Sequence, residues 1–124
     1  MNKSPFIPLG ALSAFLAVAF GAFGAHALKA SLSPYSLGVY HTAVDYHMWH
    51  AIGLLIIGVL QQQNSSNLLC KAGWFMFAGI IIFSGSLYAL SLSGIKLLGA
   101  ITPVGGVCLL IAWLLLAYSF IKSN

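Results

Sequence analysis

An all-α integral membrane protein, built as an antiparallel four-helix bundle with an extended second helix, is predicted by three features of the sequence. Of 124 residues, 60% are hydrophobic and only 5% are charged. The charged complement is five lysines and a single acid, Asp45. The lysines also cut the chain into long, almost uncharged stretches, each able to cross a bilayer. Globular domains carry about 25% charged residues, so this composition cannot furnish a water-facing surface, and its apolar fraction excludes disorder. With no arginine in the chain, the net charge of +4 is a membrane-flank charge rather than the footprint of a nucleic-acid binder.

The elements follow in order, as a single transmembrane domain over residues 1–124. A membrane helix needs roughly 20 mainly apolar residues, and residues 6–28 supply the first. Lys3, the apolar run and Ala25-His26-Ala27 imitate a cleavable signal peptide, but a signal core is only about 7 to 15 residues long, so a span is the better fit. The second helix, over 34–60, has the clearest start: Ser33 can cap it while Pro34 takes the first helical position, where a missing N–H does no harm. At 1.5 Å per residue it measures about 40 Å, more than a hydrocarbon core of about 30 Å. Its first turns, with Tyr35, Tyr40 and His41, are therefore expected at headgroup level, where tyrosine is favoured. The run Gln61-Gln62-Gln63-Asn64-Ser65-Ser66-Asn67 ends it. Residues 68–92 form the third span and 98–121 the fourth, with Thr102-Pro103 marking a start or an early kink.

Four spans put Lys3, Lys71 and Lys122 on one side and Lys29 and Lys96 on the other. The count favours both termini in the cytoplasm of an inner or plasma membrane protein. Cys70 and Cys108 differ in depth by more than the roughly 7 Å between α-carbons that a disulfide tolerates, so both are expected as free thiols.

Depth bookkeeping gathers the polar residues. In an antiparallel bundle His26, then Asp45, His47 and His50, then Ser84, Ser86 and Tyr88, then Thr102 with Gly105-Gly106 all fall in one leaflet. On the second helix His41 and Asp45 are one turn apart, whereas Tyr46, His47 and His50 gather on another side. A carboxylate inside a span costs about 2.5 to 3.5 kcal/mol on insertion scales, so Asp45 is expected to be paired, protonated or wet, with His41 or His26 as its partner.

Gly21-Ala22-Phe23-Gly24-Ala25-His26, Tyr46 with His50, Phe83-Ser84-Gly85-Ser86-Leu87-Tyr88 and Thr102-Pro103-Val104-Gly105-Gly106 resemble, in order and spacing, the domain of unknown function 423 family of transmembrane protein 256-like small membrane proteins. The resemblance covers essentially the whole chain. It implies a multi-pass membrane protein and carries over His26, Asp45, Tyr46, His50, Ser84, Ser86, Tyr88, Thr102 and Pro103 as motif residues. Some relatives have Glu where this chain has Asp45, and position 41 often lacks a histidine. The resemblance implies no biochemical activity.

The candidate ligand-binding set is thus His26, Asp45, Tyr46, His50, Ser84, Ser86, Tyr88 and Thr102. A transition metal would draw on His26, Asp45, His47 and His50, since His47 and His50 form an i, i+3 pair that needs a third ligand. Haem held by histidines on facing helices is the other cofactor considered, and neither is favoured over none. Against these stands the bland reading: histidines and serines as interhelical ties, small residues as packing surfaces and Trp49, Trp74 and Trp113 as lipid-facing anchors. Three function classes remain: an accessory membrane protein whose polar cluster fixes packing or a partner surface, a module binding a metal, proton, headgroup or quinone-like molecule, and an enzyme, for which no catalytic constellation is apparent. Membrane lipids are the expected partners, with a homo-oligomer through the small face of Ala14, Ala17, Gly21 and Ala25 as a further expectation.

Overall fold

The computed structural model describes residues 3–122, so Met1, Asn2, Ser123 and Asn124, and with them the extreme termini of the expected domain, lie outside the described residues. Four apolar helices cross the molecule: α1 (Phe6–Leu28), α2 (Pro34–Gln63), α3 (Asn67–Ser93) and α4 (Thr102–Lys122), the last preceded by a 3-10 turn, Lys96–Ala100. No strand occurs among the described residues. Short connections make successive helices antiparallel.

Local chemistry sets the ends. The Ser33 hydroxyl accepts from the Ser36 N–H while Pro34 sits at the first turn of α2, and Ser66 does the same for α3 by accepting from Leu68 and Leu69. Gly94, at φ 75°, closes α3 in the left-handed conformation that glycine adopts without a Cβ clash. At 30 residues, α2 is about 45 Å long, so it overhangs a hydrocarbon core of about 30 Å.

The second helix is the spine of the bundle. Of its most apolar window 44% is buried, against 22% for α1 and for the fourth span. Gly10 of α1 seats on the backbone of Leu55, Gly58 of α2 on Ile7, and Gly53 of α2 against Met76 of α3 and Trp113 of α4. In hydrocarbon, helix association rests on such close backbone approach rather than on escape from water. A core of Phe6, Leu54, Ile57, Met76 and Leu109 fills the half of the bundle near the start of α1. The outer surface is apolar, with Leu12, Phe15, Val18, Leu110, Leu114 and Ile121 all exposed, as a lipid solvent requires.

Two helices depart from regular winding. Gly24–Leu28 closes α1 in a π turn, and Ile80–Ser84 forms another inside α3. The extra residue in the α3 turn lets Gly79, Ile80, Ser84 and Leu87 all face inward. Such turns are rare and concentrate at functional positions.

Candidate functional site: a polar belt and an adjoining cleft

Polar side chains meet where α1 and α3 end and α2 and α4 begin. Tyr40 donates its hydroxyl hydrogen to the Phe20 carbonyl of α1 at 2.6 Å, and its ring occupies the space that a side chain on Gly24 would take. Ser84 donates across to the Ala43 carbonyl of α2 at 2.8 Å. His47 Nδ1 lies 2.9 Å from the Tyr88 hydroxyl of α3, and the main chain of Ser13 on α1 is the ring's other polar neighbour, so one imidazole links three helices. The rings of Phe20 and Tyr40 pack edge-on to Tyr88 at 5.1 and 5.4 Å. Ser86 donates to the Phe83 carbonyl and therefore accepts from Thr102, 2.6 Å away, which ties α3 to α4. No fully buried side-chain nitrogen or oxygen among the described residues lacks a partner.

His50 stands apart from this belt. The residue is 6% exposed, its Nδ1 is 2.7 Å from the Tyr46 carbonyl, and the ring stacks on Tyr46 at 5.9 Å and faces Trp113 of α4 at 5.8 Å. His50, Tyr46, Phe83, Pro103, Gly106 and Trp113 line a cleft of about 490 Å³ between α2, α3 and α4. A second recess of about 370 Å³, between α1 and α3, is lined by Ser13, His47, Ser84 and Tyr88 among apolar neighbours.

These positions revise several expectations. His26 is exposed on the π turn of α1, and Asp45 is exposed on α2 with no hydrogen bond or ion pair among the described residues. At about 100° per residue Asp45 points some 140° to 160° away from His47 and His50, so the four residues expected around a metal do not converge. No group of three or more His, Cys, Asp or Glu side chains able to share a metal ion occurs among the described residues. His47 and His50 also part company, His47 toward α1 and α3 and His50 toward α4. His41 forms no pair with Asp45 and instead lies edge-on to the Tyr40 ring, 6.4 Å away. The small face of α1 turns inward in part: Ala17 is buried and Gly21 has Val44 of α2 beside it.

Of the expected ligand set, Ser84, Ser86, Tyr88 and Thr102 enter the belt, and Tyr46 and His50 line the cleft. Sequence reasoning missed Tyr40, assigned to the headgroups but 2% exposed inside the bundle. Its signal was present, because Tyr40 and His47 are seven residues apart and so share one stripe of α2.

Residues 20–106 match the family described as Protein of unknown function (DUF423). That stretch runs from the Phe20 carbonyl through both π turns to Gly106 and includes every residue of the belt except Ser13, which contributes its main chain. The chain belongs to the DUF423 family. It is 50% identical over 118 residues to the UPF0382 membrane protein YwdK of Bacillus subtilis (strain 168), covering 94% of this chain and 96% of that one. It is 52% identical over 117 residues to a UPF0382 membrane protein of Staphylococcus aureus (strain bovine RF122 / ET3-1), covering 94% and 95%. No solved structure matches the chain. Names of the relatives and the four apolar spans agree that this DUF423 chain is a membrane protein.

Proposed function

We propose that the protein is a non-enzymatic accessory protein of the plasma membrane, in bacteria the inner membrane, with both termini cytoplasmic. Its polar belt sets helix register, and Asp45 marks a partner surface. The observation that carries this reading is the contrast between a belt whose fully buried polar atoms are all satisfied and an exposed carboxylate with no partner among the described residues. A belt with every buried donor and acceptor partnered has no free valence for chemistry and acts as a lock. Asp45 follows Val44, which packs on Gly21, so it lies about 10 Å along the bundle from the end of α1. There an exposed carboxylate faces lipid, at about 2.5 to 3.5 kcal/mol on insertion scales. A neighbouring helix that brings a hydrogen-bond donor relieves that cost. His41, Asp45, Trp49, Ile52, Ile56 and Val59 form one exposed stripe of α2, so a second copy would bring its own His41 within a turn of Asp45.

The test is cross-linking in native membranes with Cys70 and Cys108 replaced by Ala. Ile52→Cys on the stripe should give a disulfide-linked dimer on mild oxidation, reduced several-fold by adding Asp45→Asn, while Leu110→Cys on the outer face of α4 should stay monomeric. Equal behaviour of the two positions removes the α2 stripe as a partner surface.

A further inference from the structure

The belt and the Asp45 stripe leave the second nitrogen of His50, a buried residue, unaccounted for. Its Nδ1 faces a carbonyl, Tyr46 O at 2.7 Å, and a carbonyl can only accept, so Nδ1 carries the proton and Nε2 of the neutral ring presents a lone pair. Nε2 has no partner among the described residues. It is also not among the sealed-off atoms, since none of those is unpartnered. His50, a residue only 6% exposed, therefore keeps one open acceptor on a ring that lines the cleft between α2, α3 and α4. The walls are flat: Tyr46 stacks on His50, Phe83 lies 4.7 Å from Tyr46, and Trp113 of α4 faces the imidazole. Gly106 leaves its own side of the cleft unfilled, because a side chain there would meet nothing closer than the Phe83 ring at 3.8 Å.

We propose that this cleft is a binding site for a flat, lipid-soluble molecule bearing a ring hydroxyl, of the phenol or hydroquinone class, whose O–H donates to His50 Nε2 while its ring lies among Tyr46, Phe83 and Trp113. The inference goes beyond the accessory role and does not depend on it, since the cleft and the Asp45 stripe occupy different sides of α2. The polarity of the site sets its selectivity. A lone pair in an apolar cleft rewards a donor and rejects a molecule that offers only acceptors, because the buried acceptor is then left unpaired. The hydroquinone form is therefore preferred over the corresponding quinone, and over its dimethyl ether, by about tenfold or more. An acyl chain fills such a cleft without distinguishing these cases.

The test uses the full chain in lipid nanodiscs, with Trp49 and Trp74 replaced by Phe so that emission reports Trp113. Decylhydroquinone should shift that emission saturably, and its dimethyl ether should need about tenfold more for the same shift. His50→Phe should abolish the difference between the two probes while leaving their apolar partition. Gly106→Leu fills the cleft from α4 without touching His50 and should remove the saturable response to both; its fold is checked by helical content and melting. A non-saturating response, equal response to the two probes, or unchanged selectivity in Gly106→Leu would overturn the proposal and leave the cleft as a seat for acyl chains.

Discussion

Glycine positions in this chain divide by what faces them. At Gly105 a Cβ would run into the backbone of Phe83 and Ile82, which cannot step aside, whereas Gly85 faces nothing within 4 Å. Gly105→Ala must therefore push α4 off α3 and should cost about 1 to 3 kcal/mol or more, seen as loss of folded yield and a lower melting temperature in detergent. Gly85→Ala should be neutral or stabilise by about 0.5 to 1 kcal/mol, as replacing a mid-helix glycine does. Gly24→Ala is an intermediate case, because the obstacle is the Tyr40 ring and displacing it also breaks the bond to Phe20. The sequence reading of these glycines as packing residues holds for Gly24, Gly79 and Gly105, which meet Tyr40, Leu109 and Phe83 closely, and does not hold for Gly85 and Gly106. Spacing alone cannot separate the two groups, since what decides is the side chain on another helix.

Between helices the belt acts through pairs, and the His47–Tyr88 pair is the one that measures it. Tyr88→Phe removes the hydroxyl 2.9 Å from Nδ1, His47→Leu removes the imidazole, and the double variant removes both. Interhelical hydrogen bonds in membranes average about 0.6 kcal/mol and reach about 1.7, so a double-mutant cycle in chemical unfolding should return a coupling within that range; zero coupling would mean that the contact is incidental. At this scale the sequence was only half legible. Ser84, Ser86, Tyr88 and Thr102 could be placed in one leaflet by depth alone, and Ser33-Pro34 marked the start of α2 through capping chemistry. The partners could not be read, because the π turns at Gly24–Leu28 and Ile80–Ser84 shift the register by a residue that no periodicity of 3.6 anticipates. The supposed meeting of His26, Asp45 and His50 failed for a related reason: shared depth is not shared azimuth, and Asp45 points outward.

For the molecule as a whole, the spans make a claim about sidedness. Ser31, between α1 and α2, and Ser65, between α2 and α3, are both exposed and lie at opposite ends of α2. Single cysteines at the two sites, in a chain without Cys70 and Cys108, should react with an impermeant maleimide from opposite faces of intact cells. Ser31→Cys should be the outer one, given three lysines on the side of Ser65 and two on the other. Labelling of both from one face would refute the four-span topology. The composition made the membrane legible at once, because a surface of Leu, Ile and Phe with so few charges is soluble in nothing else.

The order of the belt's bonds along the chain also has a meaning in time. Tyr40 reaches back to Phe20, so the α1–α2 hairpin satisfies its own phenol as soon as two helices exist. His47 and the Ala43 carbonyl wait for Tyr88 and Ser84 of α3, and Ser86 waits for Thr102 of α4. In a chain made from its N-terminus these interhelical bonds therefore become available in the order in which the helices emerge. Synthesis order and the order in which these bonds can form are the same.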